Sequence, residues 1–175
     1  MNSTTCRPAM GVMLALASAV LAFLPGCLGY RVGSTLPSHL RSVAVLGFQN
    51  NTGEPQLESE IARATLQEFQ REGQLQIADA GEADILLNGR LVRYALEPMR
   101  YDRDRPRTAS EYRVVIRAEF DAVERATGRV IVKSVAQGDA TLPAGGDLVT
   151  ARRNAMPEAA RRLAHEIVNG VVSAW

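Results

Sequence analysis

The sequence predicts an α+β fold, a two-layer sandwich in which two amphipathic helices pack on one face of a mostly antiparallel sheet of four to five strands. Three observations predict it. Apolar residues recur at helical spacing in two segments, they alternate with polar residues in several others, and the elements follow the order β-α-β-β-β-β-α. Without a 26-residue leader, the 175-residue chain is long enough for one domain with its own core.

The leader, residues 1–26, is predicted to be an export signal. Arg7 precedes an uncharged apolar run of about 16 residues, which is short for a membrane helix of ~20. The run ends in Leu24-Pro25-Gly26-Cys27, which resembles the lipobox of bacterial lipoproteins. In such proteins the cysteine thiol receives a diacylglycerol, the chain is cut before the cysteine, and the new amino group is acylated with a fatty acid such as palmitate. An ordinary secretory signal and an uncleaved anchor are the alternatives.

Cysteine usage agrees with lipidation at Cys27. Cys6 lies in the leader, so the mature chain has one cysteine, at its first position, and no internal disulfide. More than one acyl chain there would hold the domain on a membrane without a spanning helix. Leu28 follows in place of the aspartate that favours inner-membrane retention in enterobacteria, so we expect the outer membrane. The predicted organisation is a signal peptide (1–26), a lipidated tether (27–40) and an α+β domain (41–175).

The first half of the domain is predicted to be β-α-β. Residues 41–48 are apolar on both faces, as in a buried strand. A helix is expected from about Glu54 to Arg71, because Leu57, Ile61, Thr65 and Phe69 form one stripe and Gly73 suits its C-cap. A short strand follows at residues 74–78.

The second half is predicted to be a meander closed by a helix. In residues 83–97 the apolar side chains change from one face of the predicted strand to the other near Gly89, as a β-bulge would produce. An arginine-rich loop, residues 98–110, leads to a cleanly alternating strand at 112–122. Thr127-Gly128 indicates a hairpin into the strand 129–141. Asp147 can cap the last helix, which Pro157 kinks or restarts.

Composition and motifs exclude several classes of function. Lys and Arg number 20 and Asp and Glu 19, so the chain lacks the basic excess of a nucleic-acid binder. The two histidines, His39 and His165, are expected to be ordinary surface residues. No metal, phosphate-loop or hydrolase motif occurs. We therefore expect no enzyme activity, no catalytic residue, no metal and no cofactor apart from the diacylglycerol and N-acyl groups on Cys27.

The basic residues are concentrated in one region of the sequence. The segment from Arg90 to Arg117 contains eight basic and four acidic residues. Arg113 and Arg117 lie on the polar face of one predicted strand. Guanidinium groups bind phosphate in bidentate fashion, so this region suits a phosphorylated amphiphile, although a solvated, salt-bridged face is the alternative for any one arginine. The candidate binding residues are Arg93, Arg100, Arg103, Arg105, Arg107, Arg113, Arg117 and Lys133.

An ordered set of short motifs runs along the mature chain. It comprises Cys27 with Gly29-Tyr30-Arg31-Val32, the strand Val43–Phe48, Asn50-Asn51-Thr52 before the helix, Ala83-Asp84 before Leu87-Asn88-Gly89, Tyr112-Arg113, and Thr127-Gly128. As a set, these motifs resemble the LptE lipoproteins of lipopolysaccharide assembly in Gram-negative bacteria.

The resemblance implies a location and partners. LptE proteins are lipid-anchored on the periplasmic side of the outer membrane and sit inside the lumen of the LptD β-barrel. They support assembly of that barrel and bind lipopolysaccharide, and basic residues near one end of the sheet are thought to contact its phosphates. A polar barrel lumen requires a plug with a polar surface, as the alternating strands predict.

Two related classes of lipoprotein remain as alternatives. LpoB-like activators of peptidoglycan synthases and CsgG-like secretion accessories share an apolar strand, an Asn/Thr turn and a following helix. LpoB-like proteins usually carry a longer tether than residues 27–40. CsgG-like subunits are larger and need segments that become membrane strands, which this sequence does not offer.

Overall fold

A computed structural model describes residues 37–105 and 107–174 of the chain. The predicted signal peptide, the lipidation site Cys27 and the tether up to residue 36 lie outside the described residues. The elements are β1 (Ser42–Asn50), α1 (Leu57–Glu72), β2 (Gln76–Ile77), β3 (Ile85–Tyr101), β4 (Ala109–Glu124), β5 (Val130–Pro143) and α2 (Leu148–Val172). The predicted element order is confirmed.

The sheet has five strands in the order β2-β1-β3-β4-β5, and its three long strands are antiparallel as predicted, although the sheet is mixed rather than purely antiparallel. β1 is parallel to both β2 and β3, whereas β3, β4 and β5 form an antiparallel meander. The parallel pairs have a simple cause. Helix α1 returns the chain to the end of the sheet at which β1 began, and β2 is only two residues long. β3 therefore starts at that same end, on the other side of β1.

Both helices pack on one face of the sheet and form the predicted two-layer core. The stripe of Leu57, Ile61, Thr65 and Phe69 on α1 is fully buried. Inward-facing residues of β4, from Val114 to Ala122, pack with the apolar stripe of α2. Burial of each large apolar side chain contributes roughly 1.5–3 kcal/mol, so this layer contact dominates the stability of the domain.

The start of α1 is set by Asn50 and lies three residues later than predicted. The Asn50 Nδ2 donates to the carbonyl of Glu54 (2.7 Å) and to Glu58 Oε2 (2.8 Å). Its Oδ1 accepts from the backbone N–H (3.0 Å) and the hydroxyl (2.7 Å) of Thr52. These bonds hold residues 51–56 in an ordered loop. At the other helix, Asp147 caps α2 as predicted, and α2 continues through Pro157 as one helix.

Asn50→Ala is expected to lower the free energy of unfolding by about 1–3 kcal/mol, because several partly buried hydrogen bonds lose their shared partner. Urea denaturation measures the change. Asn51→Ala is the matched control, since Asn51 is exposed and its only described bond is from its backbone N–H to Leu91. Equal midpoints for the two variants would contradict this role of Asn50.

The parity switch in β3 occurs at Val92, three residues after the predicted position. The register with β4 slips between Leu91 and Arg93, which makes Val92 the bulged residue. Gly89 has a different role, because the ring of Phe48 lies directly over it. A Cβ at position 89 would lie 2.1 Å from the ring carbon Cδ1 of Phe48. The glycine therefore marks a close approach and not the bulge.

A buried carboxylate joins the two helices on the outer side of the core. Glu68 of α1 is buried, and one of its oxygens lies 2.8 Å from His165 Nδ1 and 2.7 Å from Arg71 Nη2. Burial alone raises the pKa of Glu68, but the hydrogen bonds from His165 and Arg71 outweigh it and hold the pKa below its ordinary 4.5.

The lowered pKa of Glu68 gives a pH-dependent contribution to stability. This contribution is present above pH 4.5 and is lost as the pH falls through the lower folded-state pKa. Glu68→Gln is therefore expected to be less stable at pH 7 and to lose less of its stability on acidification to pH 3. Thermal melting across this pH range checks both effects. Parallel curves for the wild type and the variant would contradict the assignment.

Candidate functional site

The predicted arginine-rich loop is largely a β-hairpin that extends from one end of the sheet. β3 continues to Tyr101 and β4 begins at Ala109, so the turn is confined to residues 102–108. Within it, Asp102 N–H donates to the carbonyl of Thr108 (2.9 Å). We call residues 98–110 the arm. The arm lies at the end of the sheet opposite residues 37–42, because β4 runs the full length between them.

The arm combines unpaired cations with exposed apolar side chains. Arg105 is 3.3 Å from Asp102, and Arg100 is 3.8 Å from Glu111. Arg103 and Arg107 have no ion pair within residues 37–105 and 107–174. Met99 and Tyr101 are 50% and 53% exposed. Phosphate groups and apolar chains can therefore both find partners here.

A second cationic cluster lies on the open face of the sheet, at the base of the arm. Glu97 bridges two guanidinium groups: its oxygens lie 2.8 Å from Arg93 Nη2 and 3.3 Å from Arg113 Nη2. These two hydrogen bonds hold the pKa of Glu97 below its ordinary value. The Nε of Arg113 is buried and has no hydrogen-bond partner among the described residues. Two cations share one carboxylate, so the cluster keeps a net positive charge.

The other two candidate residues lie progressively farther from the arm. Arg117 pairs with Arg93 across the strands and donates to Gln137 Oε1 at 3.0 Å. Lys133 pairs in register with Asp121, four residues beyond Arg117 on β4, which is roughly 13 Å farther along the sheet. The structure therefore groups Arg93 and Arg113 with the arm arginines, places Arg117 beside them, and separates Lys133.

Sequence reasoning missed two basic residues at the same end of the domain. Arg152 and Arg153 lie in the first turns of α2, and Arg152 is 3.9 Å from Glu54. They come to this end because β5 pairs its last residue, Pro143, with Glu111 at the base of the arm. The position of Arg152 and Arg153 at this end could have been predicted from the sequence. The alternation of β4 and the hairpin at Thr127-Gly128 together fix where β5 ends and therefore where α2 begins.

The two histidines lie outside the arm and the cluster at its base. Both histidines contact buried carboxylates, His39 with Glu124 and His165 with Glu68. Across residues 37–105 and 107–174, no three His, Cys, Asp or Glu side chains come together in a way that could hold a metal ion. In the same part of the chain, no helix is both long and apolar enough to cross a membrane.

These features describe a two-layer α+β domain with a basic arm at one end, which is the architecture that the LptE resemblance implies. The model of the LptE family, described as lipopolysaccharide-assembly, matches residues 40–171. The chain therefore belongs to the LptE family, a family of non-enzymatic lipoproteins of the cell envelope. No curated protein sequence matches the chain significantly.

Solved structures share the fold at low sequence identity. A Xanthomonas campestris protein superposes with a TM-score of 0.54 at 11% identity, over 79% of this chain and 90% of that one. A lipoprotein of Caulobacter crescentus gives 0.51 at 12% identity, over 72% and 88%. A minor lipoprotein of Acinetobacter baumannii gives 0.51 at 9% identity, over 77% and 94%. At such identities the likeness extends to the fold alone.

Proposed function

We propose that this chain is the lipoprotein component of the lipopolysaccharide translocon of an outer membrane. It occupies the lumen of an LptD-type β-barrel, supports assembly of that barrel, and binds lipopolysaccharide during its insertion at the cell surface. Triacylated Cys27 anchors it on the periplasmic side of the membrane. Family membership supports this role in lipopolysaccharide assembly, and the arm is the observation that carries the binding step.

The arm and the cluster at its base supply the groups that a phosphorylated glycolipid needs. Arg103 and Arg107 have no ion-pair partner in the part of the chain that the structure describes, and each guanidinium group can hold a phosphate through two parallel hydrogen bonds. Arg93 and Arg113 share Glu97, so a phosphate oxygen can neutralise their remaining charge. Met99 and Tyr101 offer apolar contact beside these cations. Arg100, Arg105, Arg117 and Lys133 add a weaker, longer-range attraction.

The surface of the domain fits the polar lumen of a barrel. The outer side of the helices carries exposed ion pairs, such as Arg63 with Glu60 and Arg161 with Glu158. The open face of the sheet carries charged and amide side chains, such as Arg117, Glu119 and Gln137, beside exposed apolar residues such as Val135. A domain with its own core and polar residues on both outer surfaces can stand inside a wet lumen without exposing its apolar layer.

The binding step is tested with detergent-solubilised full-length protein and purified lipopolysaccharide. The double variant Arg103→Glu and Arg107→Glu is expected to bind at least about tenfold more weakly, because each reversed charge removes a phosphate contact of about 1 kcal/mol or more. Arg63→Glu is the control, since Arg63 is similarly exposed but lies on the helical side. Unchanged affinity in the double variant would remove the arm as the binding site.

A further inference from the structure

Two arginines lie opposite each other on β3 and β4 at the base of the arm. Arg93 and Arg117 are partners in the antiparallel register, and Arg113 lies on the same face of β4. Like charges in such opposed positions repel each other and destabilise a sheet. Within the described residues, Glu97 is the only carboxylate in ion-pair contact with Arg93 or Arg113. Arg117 has no ion pair there and contacts the Gln137 amide. Three cations therefore share one anion.

The floor beneath these guanidinium groups is apolar. Val115 lies on the open face of β4 between Arg113 and Arg117. It pairs with Ala95 and is only 3% exposed. No helix packs on this face in the part of the chain that the structure describes, so the stems of the neighbouring long side chains cover Val115. An apolar floor offers the guanidinium groups no hydrogen-bond partner and strengthens their attraction for an anion that lies above it.

Glu97 contacts its two arginines in a way that a second anion can replace. Its Oε1 meets Arg93 Nη2 and its Oε2 meets Arg113 Nη2, so neither pair has the two parallel hydrogen bonds of the strongest arginine–carboxylate contacts. The Glu97 side chain is also 35% exposed. A partly exposed ion pair opens at little cost, because water solvates both partners. The carboxylate can therefore swing away from the arginines while the fold stays intact.

A phosphate group is a stronger partner for these arginines than Glu97 is. The hydrogen bonds from Arg93 and Arg113 hold the pKa of Glu97 below its ordinary 4.5, so at neutral pH the carboxylate carries one full negative charge. A phosphate monoester carries about −1.5 to −2 at pH 7 and has three acceptor oxygens. It can satisfy Arg117 as well as the two arginines that Glu97 contacts.

We propose that Glu97 is a built-in competitor for the phosphate groups of the ligand. It occupies Arg93 and Arg113 in the free protein, is displaced when a phosphate binds, and returns as the phosphate leaves. The inference rests on the binding of lipopolysaccharide by this region, which belongs to the proposed function. A protein that passes lipopolysaccharide on has to release it as well as bind it. Glu97 makes binding weaker and release faster without removing any arginine.

The size of the effect follows from the fraction of molecules in which Glu97 covers the arginines. The apparent affinity falls in proportion to the fraction of protein whose site is open. If the carboxylate is closed in about four molecules of five, a modest preference that suits a partly exposed ion pair, its loss tightens binding about fivefold. Because the carboxylate returns to the same nitrogens that the phosphate leaves, we expect most of this change in the dissociation rate.

Glu97→Gln tests the competition, because glutamine keeps the size of the side chain and removes its charge. Detergent-solubilised full-length protein is immobilised, and binding and dissociation of purified lipopolysaccharide are followed by surface plasmon resonance. The variant is expected to bind about fivefold more tightly and to release lipopolysaccharide more slowly. With lipopolysaccharide from which the phosphate groups have been removed, the gain is expected to fall below about twofold. A purely structural role for Glu97 would instead give weaker binding and a lower melting temperature.

Glu119→Gln is the matched control. Glu119 lies on the same face of β4, and its carboxylate is 3.9 Å from Arg90, which is not a candidate binding residue. The two variants change the net charge equally, so a gain confined to Glu97→Gln separates competition from general attraction. Equal affinities of the wild type and Glu97→Gln, or an equal gain in Glu119→Gln, would overturn the competition and leave the proposed function in place. Absence of binding by all three proteins would overturn the binding step of the proposed function, and the competition with it.

Discussion

Gly138→Val is expected to destabilise the domain by about 3 kcal/mol or more, the largest effect of any single substitution considered in the fold. At Gly138 the backbone of α2 lies directly on β5. A Cβ there would lie 2.2 Å from the carbonyl oxygen of Ala159 and 2.4 Å from the backbone nitrogen of Leu163. Both are backbone atoms of a helix and cannot rotate away. The helix would have to lift from the sheet, which would expose Leu163 and its apolar neighbours.

Urea denaturation of Gly138→Val against Gly145→Val measures this effect. Gly145 lies between β5 and α2, and a Cβ built there meets no atom within 4 Å. The Gly145 variant is therefore expected to change stability by less than about 0.5 kcal/mol. If the two variants unfold at the same urea concentration, the close approach of α2 to β5 does not hold the two layers together.

Cys27→Ser is expected to abolish acylation and to leave the 26-residue leader uncleaved, so the protein accumulates as a precursor that is longer than the mature wild type. Each buried CH₂ of an acyl chain contributes ~0.8 kcal/mol to membrane affinity, and a triacylated cysteine carries three such chains. Serine accepts no thioether-linked diacylglycerol, so without lipidation the later cleavage and N-acylation are also lost.

Immunoblotting checks the size of the Cys27 variant, and mass spectrometry checks whether it carries acyl groups. Cys6→Ser is the control, because Cys6 lies in the predicted leader and is absent from the predicted mature protein. Processing of Cys27→Ser to the size of the mature wild type would contradict lipidation at this position and favour an ordinary secretory signal.

The spacing of apolar residues predicted the architecture well, because burial of one face of a helix or strand directly requires that spacing. The stripe from Leu57 to Phe69 and the alternation from Tyr112 to Ala122 each specify an element and the face that it buries. The parallel pairing of β1 was missed, because a two-residue strand such as β2 leaves almost no pattern. The bulge was wrongly predicted near Gly89 for a related reason. A glycine in a strand marks either a bulge or a close approach of another group, and only the position of Phe48 decides between them.

The candidate site was only partly predictable. Local sequence showed that arginines cluster between Arg90 and Arg117, but it did not show which carboxylate each one meets. Glu97 lies sixteen residues from Arg113 in sequence, and their ion pair depends on the register of β3 with β4. The separation of Lys133 and the approach of Arg152 depend likewise on strand register. Charge counting along a sequence contains no information about register.

Affinity purification of the tagged, membrane-extracted protein, with mass spectrometry of the proteins that accompany it, tests the central claim most directly. The account predicts a large outer-membrane β-barrel of the LptD type in stoichiometric amount, since a plug must fill the lumen of its barrel. A penicillin-binding protein in place of the barrel would contradict the account and would instead support an activator of peptidoglycan synthesis.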